Sequence, residues 1–236
     1  MKISIIIPTL NEIELIGKQI EDLKSKSINK DIEIIVADAY SDDGTAEKAK
    51  AAGAEVVLVE KCCRAKQMNA GAEKASGDIF YFVHADLTVP ESFVSDLLKG
   101  VKSGYSYGCY QVKFDQTVKG LQFNSSLSKF RGIFFRGGDQ SLYITKSFFH
   151  KIGGFDSDTV IMEDYEILLR ARKYEKINIM EEKVIISVRK MEENNYFRTN
   201  IINVVVFCLF FLGASQETLV KIYQKNVKGA KYRIDE

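Results

Sequence analysis

The chain has 236 residues, 46% of them hydrophobic and 28% charged, with a formal net charge of +1. That composition excludes a disordered chain and argues against a general nucleic-acid binder, which carries a basic excess. The length suits one large domain with an appendage and is too short for two full enzymatic domains. Cys62, Cys63, Cys109 and Cys208 form no CxxC pair, and His84 and His150 lie far apart. A zinc site is therefore not indicated, and the cysteine usage suits a reducing compartment. The N-terminal run MKISIIIPTLNE has no small-residue cleavage site after it, which speaks against a secretory signal and predicts the cytoplasmic side.

Ile3–Ile7 predicts a buried strand that Pro8 ends. Asn11–Lys24 follows, with Ile13, Ile16, Ile20 and Leu23 at helical spacing. Ile32–Ala37 predicts a second strand, followed by SDDGT and an Ala-rich helix from Thr45 to Ala52 that Gly53 stops. Glu55–Val59 is a third strand and Arg64–Ala75 a third helix. Ile79–Val83 then leads to His84, Ala85 and Asp86, and Pro90 starts a helix over Glu91–Lys99. Four strand–helix units predict a largely parallel sheet covered by helices. Right-handed crossovers would gather Asn11, Glu12, Asp38, Asp43, His84 and Asp86 along one crevice. The crevice lacks GxGxxG and GxxxxGK[ST], so neither a dinucleotide fingerprint nor a P-loop is present. A carboxylate-lined crevice can instead hold a nucleotide by its base and ribose, and its diphosphate through Mg²⁺ or Mn²⁺.

In the second half, Tyr107–Phe114 predicts a strand, Thr117–Phe130 a helix and RGIFFRGGDQ (131–140) a loop. Ser141–Thr145 predicts a strand, and Lys146–Ile152 a short helix closed by Gly153 and Gly154. A helix is expected from near Val160, with Glu163, Asp164 and Glu166 at its head and Ile167, Leu168 and Ala171 on its apolar face. Acids in a first turn are also what the helix dipole favours. Val184–Val188 predicts a strand ending at Arg189. Ile201–Leu212 is apolar except for Asn203, yet too short to span a bilayer. The stretch after it is amphipathic and carries Lys221, Lys225, Lys228, Lys231 and Arg233. Two readings stay open for 201–233: an interfacial helix pair on anionic lipid, or a core or oligomer contact.

The segments SIIIPTLNE (4–12), VADAYSDDGT (36–45), RAKQMNAGA (64–72), HAD (84–86), GGF (153–155) and MEDYEILLR (162–170) together resemble the family 2 glycosyltransferases. QMNAGA, HAD, GGDQ and MED look most like the subgroup described as transferase 2, radical-SAM/selenodomain-associated. The resemblance implies a three-layer α/β/α sandwich with a mostly parallel sheet, of the GT-A nucleotide-diphospho-sugar transferase type. It implies a transferase domain over 1–200, with a nucleotide half (1–100) and an acceptor half (101–200), and a helical appendage over 201–236.

Position by position, Pro8, Leu10 and Glu12 match the loop bordering base and ribose. Asp38 matches the base-binding aspartate and Asp43 a second acidic turn. Arg64 and Asn69 match polar positions beside the nucleotide-sugar, Ala85, between two metal-motif positions, is expected at the nucleotide, and Arg189 matches a basic element that meets the diphosphate. Asp86 matches the last aspartate of the DxD metal motif, whose first aspartate is here His84. Asp164 matches the catalytic base, with Glu163 its neighbour, and Gly137, Gly138, Asp139 and Gln140 shape the acceptor side. No QxxRW motif occurs, which favours transfer of one sugar over polymer extrusion.

The resemblance implies a metal-dependent inverting transfer from a UDP- or GDP-sugar to a hydroxyl acceptor, lipid-linked or soluble, at the inner face of the membrane or in the cytoplasm. The leaving diphosphate gains charge that Mg²⁺ or Mn²⁺ offsets, and a carboxylate accepts the acceptor's proton. The alternatives are a sugar-nucleotide nucleotidyltransferase, or a non-catalytic sugar-nucleotide or membrane-surface binding protein.

Overall fold

The elements run β1 (Ile3–Thr9), α1 (Ile13–Ser25), β2 (Ile32–Asp38), α2 (Thr45–Ala51), β3 (Glu55–Leu58), α3 (Arg64–Lys74), β4 (Ile79–Phe82), β5 (Leu87–Thr88), α4 (Phe93–Lys102), β6 (Tyr107–Phe114), β7 (Leu142–Thr145), α5 (Lys146–Lys151), α6 (Glu163–Ala171), β8 (Asn178–Ile186), α7 (Tyr196–Phe211) and α8 (Gln216–Asn226). The structure, a computed structural model, describes residues 1–60, 63–115, 128–129, 132–133, 140–187 and 196–227. The helix expected over Thr117–Phe130 lies almost wholly outside them.

Successive strand residues point to opposite faces, and that alternation builds two cores. Ile3, Ile5 and Ile7 of β1, Ile34 and Val36 of β2, and Ile79 and Tyr81 of β4 face one side. Ile6, Ile35, Phe80 and Phe82 face the other. The first face is covered by α1, α2 and α4 through Ile16, Ile20, Ala49, Phe93 and Leu97. The second is covered by α3, α5 and α6 through Met68, Phe148, Phe149, Ile167 and Leu168. Apart from Ser4 and Glu33 and the polar strand ends Thr9 and Asp38, these runs are apolar because a sheet buried on both faces has no solvent side. The result is the expected three-layer α/β/α sandwich.

The sheet order is β3-β2-β1-β4-β7-β6-β8-β5. The pairings β1–β2, β1–β4, β2–β3 and β6–β8 are parallel; β4–β7, β6–β7 and β5–β8 are antiparallel. The order reverses between β2 and β4, on either side of β1. At such a switch point the following loops diverge and leave a crevice.

Several local boundaries differ from the sequence expectation, helix α4 among them, which runs Phe93–Lys102 rather than Glu91–Lys99. Pro8 does not end β1, which continues to Thr9. The Ile6 carbonyl accepts from Val83 N on the β4 side, and alternation puts the Pro8 nitrogen on that same side, beyond the end of β4. Its missing N–H therefore costs no ladder bond. Helix α6 starts at Glu163, not near Val160, because Met162 takes a left-handed φ of 72° at its N-cap. Strand β8 begins at Asn178 rather than Val184, and the two-residue β5 was not anticipated.

The α7–α8 hairpin packs on the segment before α6. Val206, Leu219 and Val220 bury against Ile161, and Gln216 Oε1 accepts from Val160 N and Ile161 N, both at 3.0 Å. Among the described residues no helix is long and apolar enough to cross a membrane.

Candidate active site

The ends of β1 and β2 are knitted together by short polar side chains. Asp38 is fully buried. Its carboxylate accepts from Thr9 Oγ1 at 2.8 Å, Ser41 N at 2.8 Å and Ser41 Oγ at 2.6 Å. A buried carboxylate requires such donors, because an uncompensated charge there costs several kcal/mol. Gln67 of α3, also buried, donates to Thr9 O at 2.7 Å and Ala37 O at 2.8 Å, bracketing the two strand ends from the second core. Thr9, Ser41 and Gln67 were not singled out from the sequence. Gln67 was the one with a visible signal, an amide set among the small residues of QMNAGA.

Asp43 accepts from Thr45 N at 2.9 Å, Thr45 Oγ1 at 2.5 Å and Ile13 N at 3.1 Å. Burial works to raise its pKa, but the Thr45 hydroxyl and the Ile13 and Thr45 N–H groups win and hold it below the ordinary value. Asp43 thus ties the starts of α1 and α2 together. Glu12 N donates to the same Thr45 hydroxyl at 2.8 Å, and Asn11, at φ 53°, binds Ser41 Oγ through its N–H at 2.8 Å. Leu10 sits partly buried between these loops.

Past β4, His84 and Asp86 are partly exposed and Ala85 is buried. A small, shallow cleft opens here, walled by Met68, Phe82, Val83, Ser141 and Leu142, with Pro8, His84 and Asp164 on its lining. Residues expected on the nucleotide, metal and catalytic sides therefore meet around one space. Asp38, Asp43, Arg64 and Asp86 are not on its lining. Five described residues other than glycine have positive φ: Asn11, Asn29, Tyr40, Ser141 and Met162. Four of them follow β1, follow β2, line the cleft or cap α6. Backbone strain of this kind is typically held at functional sites.

Two links join α3 to the segment carrying Asp164. Arg64 Nη1 lies 3.5 Å from Glu163 Oε1, and the Glu163 side chain is only 2% exposed. Asn69 Nδ2 donates to Phe155 O at 2.8 Å while its Oδ1 accepts from Phe155 N at 2.9 Å. The Asn69 amide is thus engaged with protein backbone. Arg170, at the far end of α6, donates to Gly154 O at 2.7 Å and to Ile152 O, and pairs with Glu166 at 2.5 Å. Helix α6 is thereby held at both ends.

Gln140 is buried and accepts from the Cys109 thiol at 3.4 Å, which ties it to β6, and it is not on the cleft's lining. Gly137, Gly138, Asp139 and Arg189 lie outside the described residues. Among the described residues, no group of three or more His, Cys, Asp or Glu side chains could hold a metal unaided. His84 and Asp86 fit a different arrangement. Mg²⁺ and Mn²⁺ commonly take one or two protein ligands and complete their shell with substrate phosphate and water.

The sequence profile of glycosyl transferase family 2 matches residues 4–176. The chain belongs to glycosyl transferase family 2. The chain is 33% identical over 109 residues to a dolichol-phosphate mannosyltransferase of Pyrococcus furiosus, a match covering 44% of this chain and 31% of that one. Its fold matches that of a mannosyltransferase from Pyrobaculum calidifontis in complex with GDP-Man and Mn²⁺. The TM-score is 0.65 at 18% identity, over 86% of this chain and 61% of the other. It also matches glucosyl-3-phosphoglycerate synthase from Mycobacterium tuberculosis in complex with Mn²⁺, UDP and phosphoglyceric acid. Here the TM-score is 0.60 at 21% identity, over 90% and 79%. The chain spans about a third of the length of the curated relative.

Proposed function

We propose that the transferase moves one sugar, with inversion, from a UDP- or GDP-sugar to a hydroxyl acceptor, lipid-linked or soluble, with the help of Mg²⁺ or Mn²⁺. The observation that carries this reading is the single cleft bearing Pro8, His84 and Asp164. The Mn²⁺ and nucleotide ligands of the two structural relatives support it. The QMNAGA, HAD and MED segments support the radical-SAM-associated subgroup.

In this reading Asp38 acts on the base through the wall it holds, since its oxygens fix the Thr9 and Ser41 hydroxyls. Glu12 borders the ribose from the N-cap of α1, and Asp43 keeps that helix start in place. Arg64 faces the diphosphate, its guanidinium oriented by Glu163. His84 and Asp86 would hold the divalent ion, which supplies charge neutralisation for the leaving diphosphate. Asp164, half-exposed in the first turn of α6, accepts the acceptor's proton as its oxygen attacks the anomeric carbon. One displacement from the face opposite the diphosphate inverts the centre, with no covalent enzyme intermediate.

A donor panel with product analysis tests this. Release of nucleoside diphosphate, with the transferred sugar inverted by NMR, is expected. Pyrophosphate release would mean nucleotidyl transfer, and a retained anomer would contradict the single displacement.

A further inference from the structure

Among the described residues, one side of helix α7 is buried and the other is exposed. Ile201, Val204, Val205, Cys208, Phe211 and the following Leu212 recur at helical spacing and are all exposed, Ile201 at 62%, Val204 at 61% and Leu212 at 82%. Eighteen consecutive residues, 199–216, carry no charge. At 1.5 Å per residue the stripe is about 16 Å long, too short to span a bilayer but long enough to lie in its surface. Cations flank it: within 196–227 there are Arg198, Lys221 and Lys225 against the single acid Glu217. Arg198 Nη2 donates to Asn226 Oδ1 at 3.1 Å, so the start of α7 lies beside the end of α8.

A second copy of this chain suits the face poorly. Six side chains fall well short of the roughly 20–30 residues per side of a stable protein interface. Pairing two hairpins would also bring like net charges together. An anionic lipid surface matches both features, since apolar side chains enter the acyl boundary and the cations meet headgroups.

We propose that the outer face of α7 lies in the surface of an anionic lipid bilayer and presents the Asp164 cleft to acceptors held in that membrane; the second half rests on the transfer reading above. The coupling is direct. The inner face of α7 stacks Phe207 edge-on against Tyr165, with ring centroids 5.1 Å apart, and Tyr165 follows Asp164 in α6. Gln216 of α8 holds the backbone of Val160 and Ile161 just ahead of it. A membrane-seated hairpin therefore fixes the height of the cleft above the lipid.

Flotation of the full chain with vesicles of phosphatidylcholine, with and without roughly 30 mol% phosphatidylglycerol, tests this. The wild type is expected to float with the anionic vesicles and to be released by high salt. Ile201→Asp/Val204→Asp is expected to weaken partitioning by about a hundredfold while leaving the melting temperature and metal-dependent nucleotide binding unchanged, both positions being exposed. Three outcomes would overturn the proposal: no flotation of the wild type, equal flotation of the variant, or a wild-type dimer in sedimentation that the variant splits. Flotation asks nothing of nucleotide binding, so its failure and failure of the transfer reading are told apart by titrating UDP or GDP with Mn²⁺ in the same preparation.

Discussion

Arg64 and Glu163 form an ion pair across the cleft's flank, 3.5 Å apart, with the carboxylate 2% exposed and the guanidinium 39% exposed. The pair joins the first turn of α3 to the first turn of α6, so the proposed diphosphate contact and the helix bearing the proposed base share one electrostatic link. We therefore propose Glu163 as a positioning residue rather than a second base. Arg64→Gln is expected to raise KM for the donor about tenfold or more and to cost about 1–2 kcal/mol of stability. Steady-state kinetics with thermal melts checks both; an unchanged KM would remove Arg64 from the donor site.

Asp164→Asn keeps the shape of the first turn but cannot take a proton. Its kcat is expected to fall by about 10²–10⁴-fold, with donor affinity by titration within about twofold of wild type. A variant that retains full turnover would show that another group is the base.

Gly154 sits at φ 67°, and a Cβ there would lie 2.9 Å from Asn69 Oδ1 and 3.2 Å from the Phe149 ring. Gly154→Ala is expected to cost about 2 kcal/mol or more, through left-handed strain and displacement of the Asn69–Phe155 pair. That corresponds to a fall in melting temperature of about 4–8 °C for a chain of this size. A neutral substitution would show that the turn relaxes freely.

Far from the cleft, Glu33 anchors the bottom of the sheet. Burial works to raise its pKa, but the Lys2 ammonium, the Ser4 hydroxyl at 2.5 Å and Ser76 N at 2.7 Å overcome it and pull it from 4.5 down to about 2. A folded-state pKa below the unfolded one gives stability that is complete above about pH 4.5 and lost as pH falls through about 2. Glu33→Gln is expected to cost about 2 kcal/mol at pH 7, discounted for its partial exposure, and progressively less toward pH 2. Denaturant melts of both proteins across that range measure the difference, and a constant gap would contradict the assignment.

Much of the first half was legible because strict periodicity carries it. The β-branched runs at Ile3, Ile32 and Glu55, and the spacing of Ile13, Ile16, Ile20 and Leu23, report local geometry that burial then uses. The acids and His84 fall at strand ends for the same reason, and the cleft brings Pro8, His84 and Asp164 together although they are up to 156 residues apart in number. What local spacing cannot show is who pairs with whom. Asn69 reads as a polar residue in a helix, yet its amide is matched to Phe155, 86 positions away. Pro8 reads as a strand end because its effect depends on where the neighbouring strand stops. Met162 reads as an ordinary helical residue, and only the tertiary docking of Ile161 against Leu219 and Val220 explains how a left-handed cap is sustained there.

The most direct measurement is isothermal titration of wild type and Asp86→Ala with UDP and GDP, each with and without Mn²⁺. Saturable binding of one nucleotide that requires Mn²⁺, and that Asp86→Ala weakens by about tenfold or more, is the predicted result. No binding of either nucleotide, or Mn²⁺-dependent binding indifferent to Asp86→Ala, would contradict the account.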